Sequence, residues 1–355
     1  MSARAMSESA GRWVQPHEGD PHERLWLAWP SRGYTLGDTA EDAETARRTW
    51  AAVANAAARF EPVTVVVAPG DVEVAPRYLD GEIDVRVREL DDAWIRDSGP
   101  TFVRDDAGRL GAVTWVFNGW GQQHWASWEH DSTLAPAVAE WAGAERVDSA
   151  LVNEGGGFQV DGLGTVLVTE TVQRDPDRNP GRSRDDIEAE LARTIGATKV
   201  IWLPRGLTRD SDTFGTRGHV DIVATIPSPG RILLHDQRDE AHPDKAVTAE
   251  IRAVLAEVID ARGEPFEIVN LPAPSVLKDD EGFVDYSYVN HVLVNGGVIA
   301  CSFGDPHDAD AAAILRDAYP GREVVSVDAR PLFERGGGIH CITQQQPVRG
   351  NGVAP

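Results

Sequence analysis

Apolar and polar residues are arranged along this chain in a pattern that recurs roughly every 50–70 residues, as in a protein built from repeats. Each copy predicts a strand, a turn, a second strand, a helix and a third, strongly apolar strand. The clearest helix is Arg184–Ile195. Its residues Ile187, Leu191 and Ile195 recur at every fourth position and form one apolar face. The chain is therefore predicted to consist of units of one kind.

Four of these units are continuous in the sequence. They open at Trp94, Glu154, His219 and Tyr288, and the first strands of the last two are predicted at His219–Ile226 and Tyr288–Val294. The predicted helices are Leu134–Trp141, Arg184–Ile195, Lys245–Ala261 and Ala309–Ala318, and the closing strands are Val147–Val152, Lys199–Leu203, Phe266–Leu271 and Glu323–Val327. In the fourth unit Asn295-Gly296 separates two apolar runs, which is a strong hairpin signal.

The fifth unit is predicted to be divided between the two ends of the chain. Gly337–Gln344 would supply one strand, and Leu25–Trp29, the helix Ala40–Phe60 and the strand Val63–Ala68 would supply the rest. Joining these segments closes a ring of ββαβ units and leaves no open edge strand. We therefore predict one α/β domain over residues 1–355, with residues 1–12 disordered. The alternative is an open, doubly wound α/β sheet, but the sequence has no glycine-rich phosphate loop to support it.

Composition narrows the classes of partner. The 355 residues include 57 acidic and 34 basic side chains, which gives a formal charge of −23. Such a surface repels phosphate backbones and anionic headgroups, so we expect neither a nucleic acid nor a membrane as partner. It favours encounter with a small cation, although solubility alone explains the charge equally well.

The cysteine content and the absence of targeting signals indicate a compartment. Cys301 and Cys341 are the only cysteines, which is no disulfide framework and fits a reducing environment. The first residues are polar and Ser-rich, unlike a signal peptide. No run approaches the roughly 20 apolar residues of a membrane helix. We expect a cytoplasmic protein.

Chemically reactive residues occupy the same point in successive units, where the first strand of each hairpin is predicted to start. In a closed ring these points converge. Carboxylates, a histidine and a cysteine at matching positions are difficult to explain by packing alone. The residues are Asp97, Glu154, His219 with Asp221, and Cys341, with Asn290 in the fourth unit.

This set of residue types suits a guanidinium substrate. A guanidinium is planar and positive, so a carboxylate can bind it through two parallel hydrogen bonds. Asp97 and Asp221 would hold its nitrogens while the Cys341 thiolate attacks its carbon. His219 would protonate the departing ammonia and then activate water to hydrolyse the covalent thiouronium. Glu154 would orient His219, as the third member of a triad does.

Each residue also has a structural explanation. Asp97 could belong to an ion pair and Glu154 could cap a turn. In a strand, His219 and Asp221 would face the same side, as a surface pair or as two metal ligands. A cysteine alone is more often a small buried residue, which is the interpretation we keep for Cys301. Only the convergence of the set supports the catalytic hypothesis.

Other chemistries are less well supported. His340 immediately precedes Cys341, and in a strand it would point to the opposite face, so we do not choose it as the base. The sequence has neither His-Glu-x-x-His nor a Cys-x-x-Cys pair, so no metal ligand is predicted. The Gly-x-Ser-x-Gly nucleophile motif is absent as well.

The motifs that carry these residues resemble the agmatine deiminase family, which also contains bacterial peptidylarginine deiminase-like proteins. The similarity extends from Trp29-Pro30 to Gln344-Gln345-Gln346-Pro347. Its most specific segments are Trp94-Ile95-Arg96-Asp97-Ser98-Gly99-Pro100, Asn118-Gly119-Trp120-Gly121, Gly218-His219-Val220-Asp221 and Ile339-His340-Cys341-Ile342-Thr343-Gln344.

The resemblance carries expectations of its own. It implies the pentein fold, an α/β propeller of five ββαβ units around a central axis, in agreement with the repeats. It implies cofactor-free hydrolysis of agmatine to N-carbamoylputrescine and ammonia, which belongs to putrescine and polyamine metabolism. By motif match it places the catalytic roles on Asp97, Glu154, His219, Asp221 and Cys341.

The sequence departs from the family pattern in three places. Gly338 stands where Asn is expected, and Gly157-Phe158-Gln159 replaces a more usual Ser/Asn-Ile-His. The segment Asp212–Arg217 has two extra residues before Gly218. These changes leave the deimination chemistry intact but weaken the assignment of agmatine in particular.

Three functions therefore remain open. In an agmatine deiminase, Trp94 and Asp212 would bind the distal ammonium by cation–π contact and by charge. In a deiminase of arginine, peptidyl-arginine or a specialised metabolite, Arg217 would bind a substrate carboxylate. A non-catalytic binding protein of the same fold is the third, since fold does not fix function. A homo-oligomer is compatible with each of them.

Overall fold

The computed structural model describes residues 11–211 and 215–350, and in these parts the chain has a mixed α/β fold. The strands are β1 (His22–Ala28), β2 (Val63–Val67), β3 (Asp84–Val87), β4 (Thr101–Arg104), β5 (Leu110–Val116), β6 (Glu145–Val152), β7 (Phe158–Val160), β8 (Thr165–Thr169), β9 (Lys199–Leu203), β10 (Ala224–Ser228), β11 (Arg231–Asp236), β12 (Glu267–Pro272), β13 (Lys278–Asp279), β14 (Gly282–Phe283), β15 (Val292–Val294), β16 (Gly297–Ser302), β17 (Glu323–Asp328) and β18 (Thr343–Pro347). The helices are α1 (Gly33–Leu36), α2 (Ala40–Ala58), α3 (Ile95–Ser98), α4 (Gly119–Gln122), α5 (Leu134–Trp141), α6 (Glu170–Gln173), α7 (Arg184–Ile195), α8 (Asp244–Glu257), α9 (Asp308–Ala318) and α10 (Arg330–Phe333).

The larger sheets share one pairing pattern. In the sheet β4-β5-β6, β4 is antiparallel to β5 and β6 is parallel to β5, with α5 in the connection. The same order recurs in β7-β8-β9, β10-β11-β12 and β15-β16-β17, with α7, α8 and α9 as the connecting helices. The strand, turn, strand, helix, strand unit predicted from the apolar pattern is therefore confirmed.

The fifth sheet joins segments from the two ends of the described chain. Its order is β18-β1-β2-β3, with β18 antiparallel to β1 and β2 parallel to β1. Gln344 of β18 lies opposite Trp26 of β1, so the predicted pairing of the divided unit is confirmed. The additional edge strand β3 was not predicted.

Helix α7 shows why several predicted elements have the predicted bounds. Ser183 caps its N-terminus, because its side chain accepts a hydrogen bond from Asp186 N while the Asp186 carboxylate accepts one from Ser183 N. Gly196 ends the helix in a left-handed conformation that favours glycine. The apolar face of Ile187 and Leu191 is fully buried. The end signals in the sequence and the burial of the apolar face therefore specify the same helix.

Three predicted strands start several residues too early in the sequence, and the one predicted at Tyr288–Val294 begins only at Val292. The other two concern reactive residues. Residues Val220–Ile222 form a 3-10 turn, and β10 begins only at Ala224 instead of at His219. The backbone N–H of His219 donates a 2.8 Å hydrogen bond to the Asp210 carboxylate, so it is not available to a strand partner. The predicted strand Gly337–Gln344 likewise begins only at Thr343. In both places the reactive residues lie in a turn that precedes the strand.

The core consists of apolar residues from the sheets and from the inner faces of the helices. Cys301 lies within it on β16, in agreement with its interpretation as a buried core residue. Burial raises the pKa of its thiol to about 12. In the parts of the chain that are described, none of the helices combines the length and the hydropathy of a membrane span.

Candidate active site

The predicted site residues lie in short helical turns just before the first strands of their sheets. Asp97 lies on α3, Glu154 directly precedes a 3-10 turn at Gly155–Gly157, and His219 directly precedes the turn that contains Asp221. Cys341 occupies the turn before β18. The side chains of all five residues are buried.

Gly156 shows that three of these side chains meet at one point. Its backbone N–H donates a 3.0 Å hydrogen bond to Oδ1 of Asp97. A methyl group on Gly156 would lie 2.5 Å from Nδ1 of His219, 3.0 Å from Oδ1 of Asp97 and 3.1 Å from Oδ2 of Asp221. These distances are shorter than van der Waals contact. The turn therefore brings the three groups together only because residue 156 has no side chain.

Cys341 lies beside the same carboxylates. Its Sγ is 3.5 Å from Oδ2 of Asp221 and accepts a 3.3 Å hydrogen bond from Nδ2 of Asn290. Burial, together with the negative charges of Asp221 and Asp97, raises the pKa of the thiol well above its usual value. Without a bound cation, the cysteine is therefore protonated at neutral pH.

Asn290 also holds the turn that carries Cys341. Its Oδ1 accepts a 2.9 Å hydrogen bond from His340 N. A methyl group on Gly338 would lie 2.4 Å from this Oδ1, so the glycine at the position where the family pattern has Asn leaves room for Asn290. Gly338 is thus accommodated because it packs closely against Asn290, which holds the turn that carries Cys341.

His219 is held by one carboxylate and faces a second. Its Nε2 lies 3.3 Å from Oε2 of Glu154. Its Nδ1 lies 3.9 Å from Oδ1 of Asp97 and has no hydrogen-bond partner among the described residues. Burial alone would lower the pKa of His219, but Asp97 and Glu154 raise it to about 9. The ring is therefore a cation at neutral pH, with one N–H available to a ligand.

Arg178 holds Glu154 from the other side and was not predicted from the sequence. Its Nε donates to both carboxylate oxygens of Glu154 at 2.9 and 3.1 Å. Burial opposes ionisation of Glu154, but Arg178 and His219 lower its pKa below the ordinary value. Arg178 also donates to Asp175 at 2.8 Å and to the carbonyl of Thr216 at 2.7 Å. No motif or spacing in the sequence links Arg178 to Glu154.

Asp97 is oriented by Trp120, whose Nε1 donates a 2.9 Å hydrogen bond to Oδ2. Trp120 has φ 56° and ψ 46°, a left-handed conformation that is unusual for an aromatic residue. Such strain occurs where the surrounding structure requires it, and here it directs the indole N–H at Asp97. Burial raises the pKa of Asp97 to about 6, although His219 opposes the shift.

His340 contacts the site, contrary to the prediction that it would point to the opposite face. It lies in a turn and not in a strand, and its Nδ1 is 2.8 Å from Oδ2 of Asp221. Its Nε2 is 3.0 Å from Glu18, which in turn accepts a 3.3 Å hydrogen bond from Arg96. Oδ1 of Asp221 remains without a hydrogen-bond partner among the described residues. His340 thus engages one oxygen of Asp221 and leaves the other for a ligand.

An aromatic wall encloses the narrow pocket that Cys341 and Asp97 line. Trp94, which was predicted to bind substrate, is part of this wall together with Trp120, Trp125 and Tyr34. The rings of Trp120 and Trp125 stack at a centroid distance of 5.3 Å. A pocket lined by a carboxylate and aromatic rings suits a flat cation.

Of the other two predicted substrate residues, the structure describes only Arg217. Asp212 lies outside the described residues. Arg217 lines a different surface cavity, with Glu170 and Arg174, and its backbone has a left-handed φ of 77°. The structure therefore does not bring the Arg217 guanidinium to Cys341.

Comparison with known proteins agrees with this geometry. A sequence profile of the Porphyromonas-type peptidyl-arginine deiminases matches residues 14–347. The chain belongs to this deiminase family. A relative from Streptomyces coelicolor is 54% identical over 94% of this chain and 98% of its own length. The agmatine deiminase of Stutzerimonas stutzeri is 40% identical over 95% of this chain and 96% of its own.

A solved structure supports the relationship. The agmatine deiminase of Enterococcus faecalis, captured catalysing its reaction, superimposes with a TM-score of 0.88 at 31% identity, covering 95% of this chain and 96% of that one. The family resemblance stated from the motifs is therefore confirmed. The Enterococcus enzyme therefore shares the mixed α/β fold described above.

Proposed function

We propose that the protein hydrolyses the guanidine group of agmatine to give N-carbamoylputrescine and ammonia. One observation carries the proposal: two groups with opposite hydrogen-bonding roles are buried in the site and lack a partner among the described residues. They are Nδ1 of His219, a donor, and Oδ1 of Asp221, an acceptor. Unpaired buried polar groups cost free energy, so this arrangement is expected to be completed by a ligand. A guanidinium supplies the N–H donor for Asp221, and its leaving nitrogen becomes an acceptor for the His219 N–H once Cys341 has attacked the carbon.

Binding of the cation prepares the nucleophile. Asp97 and Asp221 accept N–H bonds from the guanidinium, and its charge offsets the negative field that keeps the Cys341 thiol protonated. Each unit by which the pKa of the thiol falls corresponds to about 1.4 kcal/mol. One cation in a site shielded from water supplies stabilisation of this order. The substrate therefore activates the residue that attacks it.

The chemical steps follow from the positions of the groups. Once the cation is bound, the Cys341 thiol loses its proton to bulk water and Sγ forms a bond to the guanidinium carbon as the C–N π pair moves onto nitrogen. His219 gives its proton to the nitrogen that leaves as ammonia. The neutral His219 then accepts a proton from water as the oxygen bonds to the carbon of the thiouronium. The C–S bond breaks as the C=O bond forms, the hydroxyl proton passes to Sγ to restore the thiol, and the ureido product leaves. Glu154 and Arg178 hold the ring in place throughout.

The fold forms part of this proposal. Adjacent sheets contact one another where β18 meets β4 and where β7 meets β10. Together with the repeated pairing pattern, these contacts favour a single domain of five ββαβ units around a central axis, as in the pentein propellers.

The test is turnover of agmatine and of arginine in parallel, followed through the ureido product and ammonia. We expect the native protein to convert agmatine, and Cys341→Ser to convert neither substrate. Cys301→Ser is the matched control, because it changes the other buried thiol and should retain activity. Turnover of arginine alone would replace agmatine with another guanidine. Activity in Cys341→Ser, or inactivity of the native protein on every guanidine tried, would contradict the enzymatic proposal.

A further inference from the structure

Asn290 has no part in the chemical steps proposed above, although its side chain contacts the sulfur that reacts. It is fully buried in the turn before β15, the first strand of its sheet. In the other four units the residues at this point are Asp97, Glu154, His219 and Cys341, and each of them takes part in the proposed chemistry. The fourth unit therefore contributes a polar group to the same site.

The hydrogen bonds of Asn290 fix which end of its amide faces the sulfur. Oδ1 accepts the 2.9 Å bond from His340 N, a group that can only donate. Nδ2 lies 3.4 Å from the backbone carbonyl oxygen of Asp221, a group that can only accept, and 3.3 Å from Sγ of Cys341. A flipped amide would place oxygen against that carbonyl and NH2 against the His340 N–H. The donor end of the amide therefore faces Sγ.

Two further contacts keep the amide in this position. Sγ of Cys301 donates a 2.9 Å hydrogen bond to the backbone carbonyl of Asn290. Gly338 packs so closely that a methyl group on it would lie 2.4 Å from Oδ1 and 2.9 Å from Cγ of Asn290. A donor that is already oriented stabilises charge without the cost of reorganisation. Asn290 thus presents a fixed N–H to the nucleophile.

The sulfur carries negative charge at two stages of the proposed reaction. It is a thiolate before it attacks the guanidinium carbon, and it takes up the electron pair of the C–S bond when the thiouronium breaks down. Another close neighbour, Oδ2 of Asp221 at 3.5 Å, repels this charge. A hydrogen bond to an ionised group is roughly twice as strong as one between neutral groups. The bond from Nδ2 is therefore stronger at these two stages than in the resting thiol.

We infer that Asn290 is a further catalytic residue, whose Nδ2 stabilises the negative charge on Sγ of Cys341 before the attack and again as the C–S bond breaks. The second stage rests on the proposed function, whereas stabilisation of the thiolate can be measured without a substrate. The inference also gives Gly338 a role, because a side chain there would displace the donor.

The test is the rate at which iodoacetamide alkylates Cys341, which follows the fraction of thiolate. Every protein carries Cys301→Ser, so that Cys341 is the only thiol. Asn290→Ala should lower the thiolate fraction about 10- to 100-fold, the range for losing one hydrogen bond to a charged group. A more basic thiolate is a better nucleophile, which offsets about half of this effect on a logarithmic scale. Alkylation at neutral pH should therefore be about 3- to 10-fold slower, and kcat/KM for agmatine should fall by a similar factor.

Thr343→Val is the matched control for movement of the nucleophile turn. The Thr343 hydroxyl bonds the backbone carbonyls of Ile339 and His340 at 2.9 and 3.1 Å, and these contacts do not involve Sγ. Valine has nearly the same shape and removes them. This variant loosens the turn but keeps the Asn290 donor, so its alkylation rate should equal that of the parent protein.

Three results would contradict the inference. Equal alkylation of Asn290→Ala and the parent protein would show that Nδ2 does not stabilise the thiolate. An equal slowing in Thr343→Val would assign the effect to the position of the turn. If Asn290→Ala does not fold, Asn290→Asp decides, because it keeps the size of the side chain and the acceptor for His340 N but loses the donor. The parent alkylation rate in that variant would be the third contradiction.

Failure of the proposed function would look different. If the native protein turns over no guanidine, the deiminase proposal is wrong, and slower alkylation of Asn290→Ala would still establish the contact with the thiolate. If the native protein is active and Asn290→Ala retains both its alkylation rate and its kcat/KM, only the role of Asn290 is wrong.

Discussion

His340 shows how a residue beside the nucleophile can act through another side chain. It bonds Oδ2 of Asp221 and is itself held by Glu18. Burial and Arg96 oppose protonation of His340, but Glu18 and Asp221 outweigh them and raise its pKa. The His340 imidazolium therefore lies between the carboxylates of Glu18 and Asp221, and all three groups are largely buried. We interpret His340 as a positioning residue that keeps Asp221 ionised and directs its second oxygen towards the substrate.

The corresponding prediction concerns two substitutions of His340. His340→Ala should lower kcat/KM for the guanidine about 10- to 100-fold, because Asp221 loses a charge-assisted hydrogen bond. His340→Asn should recover part of the loss, since its amide nitrogen can occupy the position of Nδ1. Steady-state kinetics of both variants provides the measurement. Equal activity of native protein and His340→Ala would contradict the role, as would equal losses in the two variants.

At this scale the sequence predicts the reactive groups but not the groups that hold them. Asp97, Glu154 and Cys341 could be found because each occupies the same point of a repeated unit. Glu18 and His340 are 322 positions apart, and only the folded chain brings them together. The orientation of His340 was predicted wrongly because a strand was assumed where Asn290 holds a turn.

Among the elements, the three-glycine turn Gly155–Gly157 has the clearest mechanical role. It lies between Glu154 and β7, and its middle residue is in contact with three functional side chains. A glycine is needed at position 156 for space and not for backbone conformation, because its φ lies outside the left-handed range. The turn therefore sets the separation of His219, Asp97 and Asp221.

Gly156→Ala should consequently disable the site while leaving the fold intact. The added methyl group must displace His219 or Asp97, and a displacement of about 1 Å in a catalytic group can lower the rate by about 100-fold. Gly70→Ala is the control, since a methyl group there meets no atom within 4 Å. Activity and thermal unfolding are measured for both. Full activity in Gly156→Ala would show that the site tolerates wider spacing.

Helices and central strands were easier to predict than these turns. The strand β9 and the helices α5 and α7 have the predicted bounds, because apolar periodicity and end signals agree in them. Helix α8 ends at Glu257 instead of Ala261, since Ile259 leaves the helix and pairs with Pro265. The apolar periodicity that predicts the helix does not reveal this short pairing.

For the molecule as a whole, the formal charge of −23 has two possible roles: it attracts the cationic substrate, or it only keeps the protein soluble. A salt series distinguishes them. Raising the ionic strength from about 0.01 M to about 1 M shortens the screening length from roughly 30 Å to roughly 3 Å. If the acidic surface attracts the cationic substrate, kcat/KM should fall several-fold over this range while kcat changes little. The measurement is a salt series with agmatine. A kcat/KM that is independent of salt would show that the acidic surface does not attract the substrate, and solubility would then explain the charge.

The pairing of β1 with β18 has a consequence for how the protein is made. Trp26 and Gln346 are hydrogen-bonded across 320 positions of sequence. At the usual 5–20 residues per second, a ribosome needs roughly 16–64 s to synthesise that length. During this interval one edge of β1 has no partner, and an unpaired strand edge readily joins other chains. Nascent copies of this protein should therefore depend on chaperones until the last strand emerges.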